Sequence, residues 1–107
     1  MDRQDQIHAF SLAAHRLAIE RLRERPERLV EALDVIRRWQ EQAGGSAHCD
    51  PYWEEWRGLL HEGIDAVERV ACAPTDHAAT LRSVSPLGRF ISPSERNQLL
   101  RRAREAA

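Results

Sequence analysis

The chain has 107 residues, 42% of them hydrophobic, and a formal net charge of −1. That length accommodates one domain with a single modest core, which leaves little volume for a buried cofactor. No apolar run approaches the roughly 20 residues of a membrane span, and the opening MDRQDQIHAF lacks the apolar stretch of a secretory leader. A cytoplasmic protein without membrane contact is therefore expected. All 16 basic residues are arginine, and charge is unevenly spread. Residues 1–47 balance eight acids against eight Arg, residues 48–81 sum to −5, and residues 82–107 sum to +4. A basic end of this kind suits docking on an acidic surface, whether its own or a partner's.

A first helix is expected from Asp5 to Glu24. Ile7, Phe10, Ala14, Leu17 and Ala18 fall on one side, with Leu12, Ile19 and Leu22 round from them. So wide an apolar arc fits a helix wedged between two neighbours. Pro26 halts it and takes the first turn of a second helix, where its missing N–H costs nothing. Leu29, Leu33, Ile36 and Trp39 form the buried stripe of that helix. Gly44-Gly45 closes it, since glycine takes the left-handed conformation without steric cost. CDPYWEEW opens a third helix, with Asp50 as N-cap and Pro51 in the first turn. From there Trp53, Trp56, Leu60, Ile64, Val67 and Ala71 lie within about 80° of one another at helical spacing. One continuous helix to Cys72 is expected, with Gly63 at the edge of the stripe admitting a close neighbour. Pro74 ends it. A short helix from Asp76 to Val84 follows, capped by Thr75 or Asp76.

The remaining segment, SVSPLGRFISPSERNQLLRR, brackets Leu87, Phe90 and Ile91 between two Ser-Pro breaks. Ser92-Pro93-Ser94-Glu95 reads as a capping box with Pro in the first turn, so an Arg-rich helix starts there. The fold expected is all-α: an antiparallel bundle of three long helices, plus a short helix and a C-terminal basic helix. Residues 1–84 form the bundle domain, and residues 85–107 form a tail that can dock on a partner.

Little in the chain points to catalysis. No nucleophile sits with its base at a recognisable spacing, and no glycine loop could cradle a phosphate, so no enzyme activity and no cofactor are expected. Cys49 and Cys72 flank the third helix. A continuous rod would hold them roughly 30 Å apart, which excludes a disulfide between them and parts the half-sites His48-Cys49 and Cys72-x4-His77. No metal site is expected. His8 and His15 share one helix face, a pattern that more often marks surface or half-buried histidines than a site; none of the five histidines has an evident role. Trp53 and Trp56 continue the apolar stripe as core anchors, and Tyr52 lies off it.

Three features together resemble small helical bacterial antitoxins of toxin–antitoxin pairs. His15-Arg16 with Glu20, Leu22 and Pro26 marks the first helix junction, and Pro51, Trp53 and Trp56 start the third helix. The tail carries Ser85-Pro86-Leu87 and then Ile91-Ser92-Pro93-Ser94-Glu95-Arg96. Such proteins more often have Phe where Leu87 stands and an aromatic where Asn97 stands. The resemblance implies a protein that neutralises a cognate toxin enzyme by direct contact. In that reading Leu87, Phe90, Ile91 and Leu99 are apolar anchors, and Arg89, Arg96, Arg101 and Arg102 grip an acidic cleft, since guanidinium pairs bidentately with carboxylates. Alternatively, Phe90 and Ile91 fold back onto the bundle and the arginines pair with the acidic third helix. Two other functions fit the residues. One is an adaptor or structural module that forms homo-oligomers through the first helix. The other is a small nucleic-acid-binding regulator using the basic tail, against which stand the acidic net charge and the want of a helix-turn-helix.

Overall fold

The computed structural model describes residues 2–44 and 48–105. Helix α1, Arg3–Glu24, starts two residues ahead of the expected boundary because Asp2 caps it, its carboxylate accepting the Asp5 N–H at 2.8 Å. Pro26 does not open the second helix. It heads a 3-10 turn, Pro26–Arg28, that leads into α2, Leu29–Ala43. Gly44 closes α2 as expected, at φ 63° and ψ 25°. Gly45 lies outside the described residues.

The expected third rod is two helices, α3 (Asp50–Glu62) and α4 (Ile64–Ala71). Gly63 divides them at φ 124° and ψ 173°, a conformation essentially confined to glycine. A side chain added there would meet nothing within 4 Å, so this glycine serves the backbone and not a close neighbour. The apolar stripe passes through the break because both helices face one core: Trp56, Leu59 and Leu60 from α3, and Ala66, Val67 and Ala71 from α4. Asp50 is not the cap of α3. It is the first helical residue, and its carboxylate accepts from the Gln40 side chain of α2 at 3.1 Å.

Helix α5, Asp76–Ser83, is capped by Thr75, whose hydroxyl accepts the Ala78 N–H at 3.0 Å. A second 3-10 turn, Leu87–Phe90, leads to α6, Pro93–Glu105. Both halves of the expected capping box form. Ser92 Oγ accepts the Glu95 N–H at 3.1 Å, and Glu95 accepts the Ser92 N–H at 2.9 Å.

Helix α1 is the hub. Helices α4, α5 and α6 and the Leu87–Phe90 turn all pack against it, which is what its wide apolar arc requires. The central cluster joins Ile19 and Leu22 of α1, Ile36 of α2, Trp56, Val67 and Leu81 to Leu87 and Phe90. The Trp56 indole N–H donates to the Leu81 carbonyl at 2.8 Å, so this large residue is buried with its polar atom satisfied. One core thus runs across the 84/85 boundary, and residues on both sides of it are interior.

Candidate partner-binding groove

The eight tail residues expected to contact a partner separate into two groups. Leu87 and Phe90, at 1% and 3% exposure, are core residues here and not surface anchors. Ile91 is half-buried against the same core. Burying one such side chain is worth about 1.5–3 kcal/mol, enough to hold the turn down. Arg89 is held too. It forms an ion pair with the Glu31 carboxylate at 3.2 Å, to which Arg28 donates at 2.8 Å, and the Arg28 guanidinium lies 5.0 Å over the Phe90 ring. The Arg28 bond, together with the charges of both guanidiniums, holds the Glu31 carboxyl below its usual range. The fold-back alternative therefore describes this turn, but not the arginines of α6. None of those forms an ion pair with α3 or α4 among the described residues. The acids there are engaged elsewhere: Asp65 and Glu68 by Arg23, Glu55 by His77, and Glu54 by Arg57.

Arg96, Leu99, Arg101 and Arg102 form the second group, all on α6. Arg96 lies 5.6 Å over the Phe10 ring of α1. Leu99 is half-buried, while Arg101 and Arg102 are exposed. Between α1 and α6 runs a groove of about 610 Å³. Leu12, Ala13, Leu17 and Leu99 give it an apolar floor, and Arg16, Glu20, Gln98 and Arg102 stand on its walls. Glu95 closes one side but is already committed. Both its oxygens accept from Arg21, and the Ser92 N–H bonds to it as well. The Ser92 backbone bond first, then Arg21, keep its carboxyl below the usual range. Arg16 reaches the Cys72 thiol, and Arg102 has no carboxylate partner among the described residues.

No protein-family model, curated protein or solved structure matches the chain.

Two further features fall outside the sequence expectations. Trp39 and Trp53, both half-buried, meet with ring centroids 5.7 Å apart beside a shallow hollow of about 590 Å³ that includes Gln42, Ser83 and Ser85. More unusual is a buried basic pair. His15 is 8% exposed, its Nδ1–H donates to the Ser11 carbonyl at 2.7 Å, and its ring stacks on Trp56 at 6.1 Å. Its Nε2 is buried without a partner. Burial, reinforced by the nearby Arg82 charge, lowers its pKa from the usual histidine value. Arg82, 9% exposed, donates to the Ala71 carbonyl at the end of α4 at 2.7 Å and to Ser11 Oγ at 3.1 Å. It thereby ties α5 to α4 and α1, its charge facing the negative end of the α4 dipole.

Both cysteines are free thiols. The continuous rod expected to separate them is broken at Gly63. Among the described residues no three His, Cys, Asp or Glu side chains gather as metal ligands, and no helix is long and apolar enough to cross a membrane.

The groove was legible only in part. Leu99 and Arg102 stand out in the sequence because the final helix is so basic. The α1 wall was missed, although the width of the α1 apolar arc carried the signal: Leu12 and Leu17 exceed what one neighbouring helix can cover.

Proposed function

We propose that the chain is a bacterial, cytoplasmic antitoxin-type protein that neutralises a cognate toxin by direct contact, with the α1–α6 groove as its binding surface. The observation that carries this reading is the groove itself. An apolar floor with a charged rim is the usual anatomy of a protein-binding site: the floor supplies affinity and the rim orientation. The antitoxin assignment is supported by the three sequence motifs, and the groove gives part of the tail, Leu99 and Arg102, a role that does not require it to leave the fold. A second reading, self-association as an adaptor, is favoured by Ile7 and Val30, large apolar residues left 49% and 56% exposed.

The test is co-expression with the product of a neighbouring open reading frame, scored by growth rescue and co-purification. The wild-type chain is expected to rescue growth. Ala13→Trp, which fills the groove, and Leu99→Glu, which puts a charge on its floor, are expected to lose rescue while remaining folded by circular dichroism. Rescue by both variants would remove the groove from the mechanism. Concentration-dependent light scattering, abolished by Ile7→Glu and with no toxin bound, would favour the adaptor.

A further inference from the structure

We infer that the α1–α6 groove receives an acidic, leucine-bearing helical segment of the partner protein, its carboxylates held by Arg102 on one wall and Arg16 on the other. This rests on the protein-binding reading above and specifies the chemistry of what binds.

The charge balance of the surface points to an acidic occupant. Several arginines elsewhere in the fold have carboxylate partners, among them Arg23 with Asp65 and Glu68, Arg37 with Glu41, and Arg89 with Glu31. Arg101, Arg102 and Arg104 of α6 have none among the described residues, and Arg96 rests on Phe10. The one acid early in α6, Glu95, is consumed by Arg21. Helix α6 therefore presents positive charge that the fold does not neutralise. The acids of α3 and α4 are engaged by other partners within the chain. The same engagement argues against a second copy as occupant, since its acidic face would have to give up those pairs first.

The floor of the groove selects between acidic ligands. A nucleic-acid backbone needs a bed of cations, and modules that bind single strands add aromatic stacking platforms. Here the floor is Leu12, Leu17 and Leu99, and Glu20 stands on the α1 wall. A phosphate chain would meet aliphatic surface below and a carboxylate at the side. A helix with leucines at i, i+3 and i+7 fits better, because the trough between two packed helices accepts the apolar stripe of a third. Its flanking glutamates would meet the Arg102 and Arg16 guanidiniums, neither of which has a carboxylate partner among the described residues, while Glu20 penalises acid at one end and so sets the direction in which the segment lies.

The probes are three synthetic fluorescein-labelled helical peptides with the same leucine stripe and flanks of Glu, Gln or Lys. Fluorescence anisotropy should show the Glu peptide binding at least about tenfold more tightly than the Gln peptide, with weak or no binding of the Lys peptide. Arg102→Glu, and separately Arg16→Glu, should reverse the order so that the Lys peptide binds best; Arg37→Glu, on α2, should change nothing. Circular dichroism confirms that the variants are folded, and Arg102→Gln provides a milder replacement that should equalise the Glu and Gln peptides. Equal binding of the Glu and Gln peptides by the wild type would overturn the inference, as would an Arg102→Glu variant that keeps the wild-type order. Binding of a single-stranded oligonucleotide more tightly than the Glu peptide, lost in Arg102→Glu, would overturn it in favour of nucleic acid. If the peptide order fails but the chain still rescues growth through the groove, the acidic-helix chemistry is wrong and the protein-binding function stands.

Discussion

Acidification should destabilise this fold through His15. In the native state the ring is neutral: Nδ1–H donates to the Ser11 carbonyl, Nε2 is buried without a partner, and Arg82 stands close by. Protonating Nε2 would place a second cation beside Arg82 in the interior, so the native pKa is lowered. In the unfolded chain the same imidazole titrates near its ordinary value of about 6.5. Below that pH the unfolded state binds the proton and the native state does not, so stability falls as pH falls. The loss approaches about 1.4 kcal/mol per pH unit until the lowered native pKa is reached, where it levels off. For a domain of this size that is about 5–10 °C in Tm per pH unit. His15→Phe removes both the titration and the unpartnered nitrogen. It forfeits one hydrogen bond, worth about 1 kcal/mol, against relief of an unsatisfied buried acceptor worth about 1–3 kcal/mol. Its stability at pH 7.5 should therefore lie within about 2 kcal/mol of the wild type. Urea melts of both proteins from pH 7.5 to 5 should show the wild-type slope flattened in the variant, whereas His61→Asn, at an exposed site, should keep it. Identical slopes in wild type and His15→Phe would refute the assignment.

The two glycines of the expected third helix should respond with opposite signs. Gly63→Ala should cost about 1–3 kcal/mol, because its backbone conformation is closed to other residues, while Gly58→Ala, within α3 and with open space around it, should gain up to about 1 kcal/mol. Denaturant melts would measure both, and equal effects would mean that α3 and α4 form one rod. Phe90→Ala should cost about 3–5 kcal/mol, and a chain ending at Ser85 should lose cooperative thermal unfolding, since each removes part of the central cluster. A truncated chain with an unchanged Tm would show that the tail is dispensable to the core.

Helix existence was largely readable from local chemistry. The Ser92–Glu95 box, the Thr75 cap and the Gly44 terminus each depend on neighbours within a few residues, and each is found where the sequence placed it. The break at Gly63 was not readable, because an apolar stripe shows which face is buried and not whether the backbone is continuous behind it. Trp53 illustrates a second limit. It shares a stripe with the fully buried Trp56 yet is half-buried against Trp39, since helix α3 begins beyond the edge of the core. The candidate site was harder still. Leu87 and Phe90 look like exposed anchors when read locally, and only long-range packing against α1 makes them interior. The α1 wall of the groove and the His15–Arg82 pair depend on residues about 70 to 90 positions apart, such as Ser11 with Arg82; the wide apolar arc of α1 hints at the wall, but no local pattern marks the pair.

Synthesis runs from α1 to α6, but packing joins the two ends. Helix α1 is covered in part by Leu87, Phe90 and α6, which are made well after it. The apolar arc of α1, reached earlier by α4 and α5, must therefore wait only partly covered until its final neighbours are made. During that interval Leu12, Leu17 and Ile19 lack part of the cover they have in the finished fold. A chain stalled or ended before α6 is left with part of that arc open to chaperones and proteases.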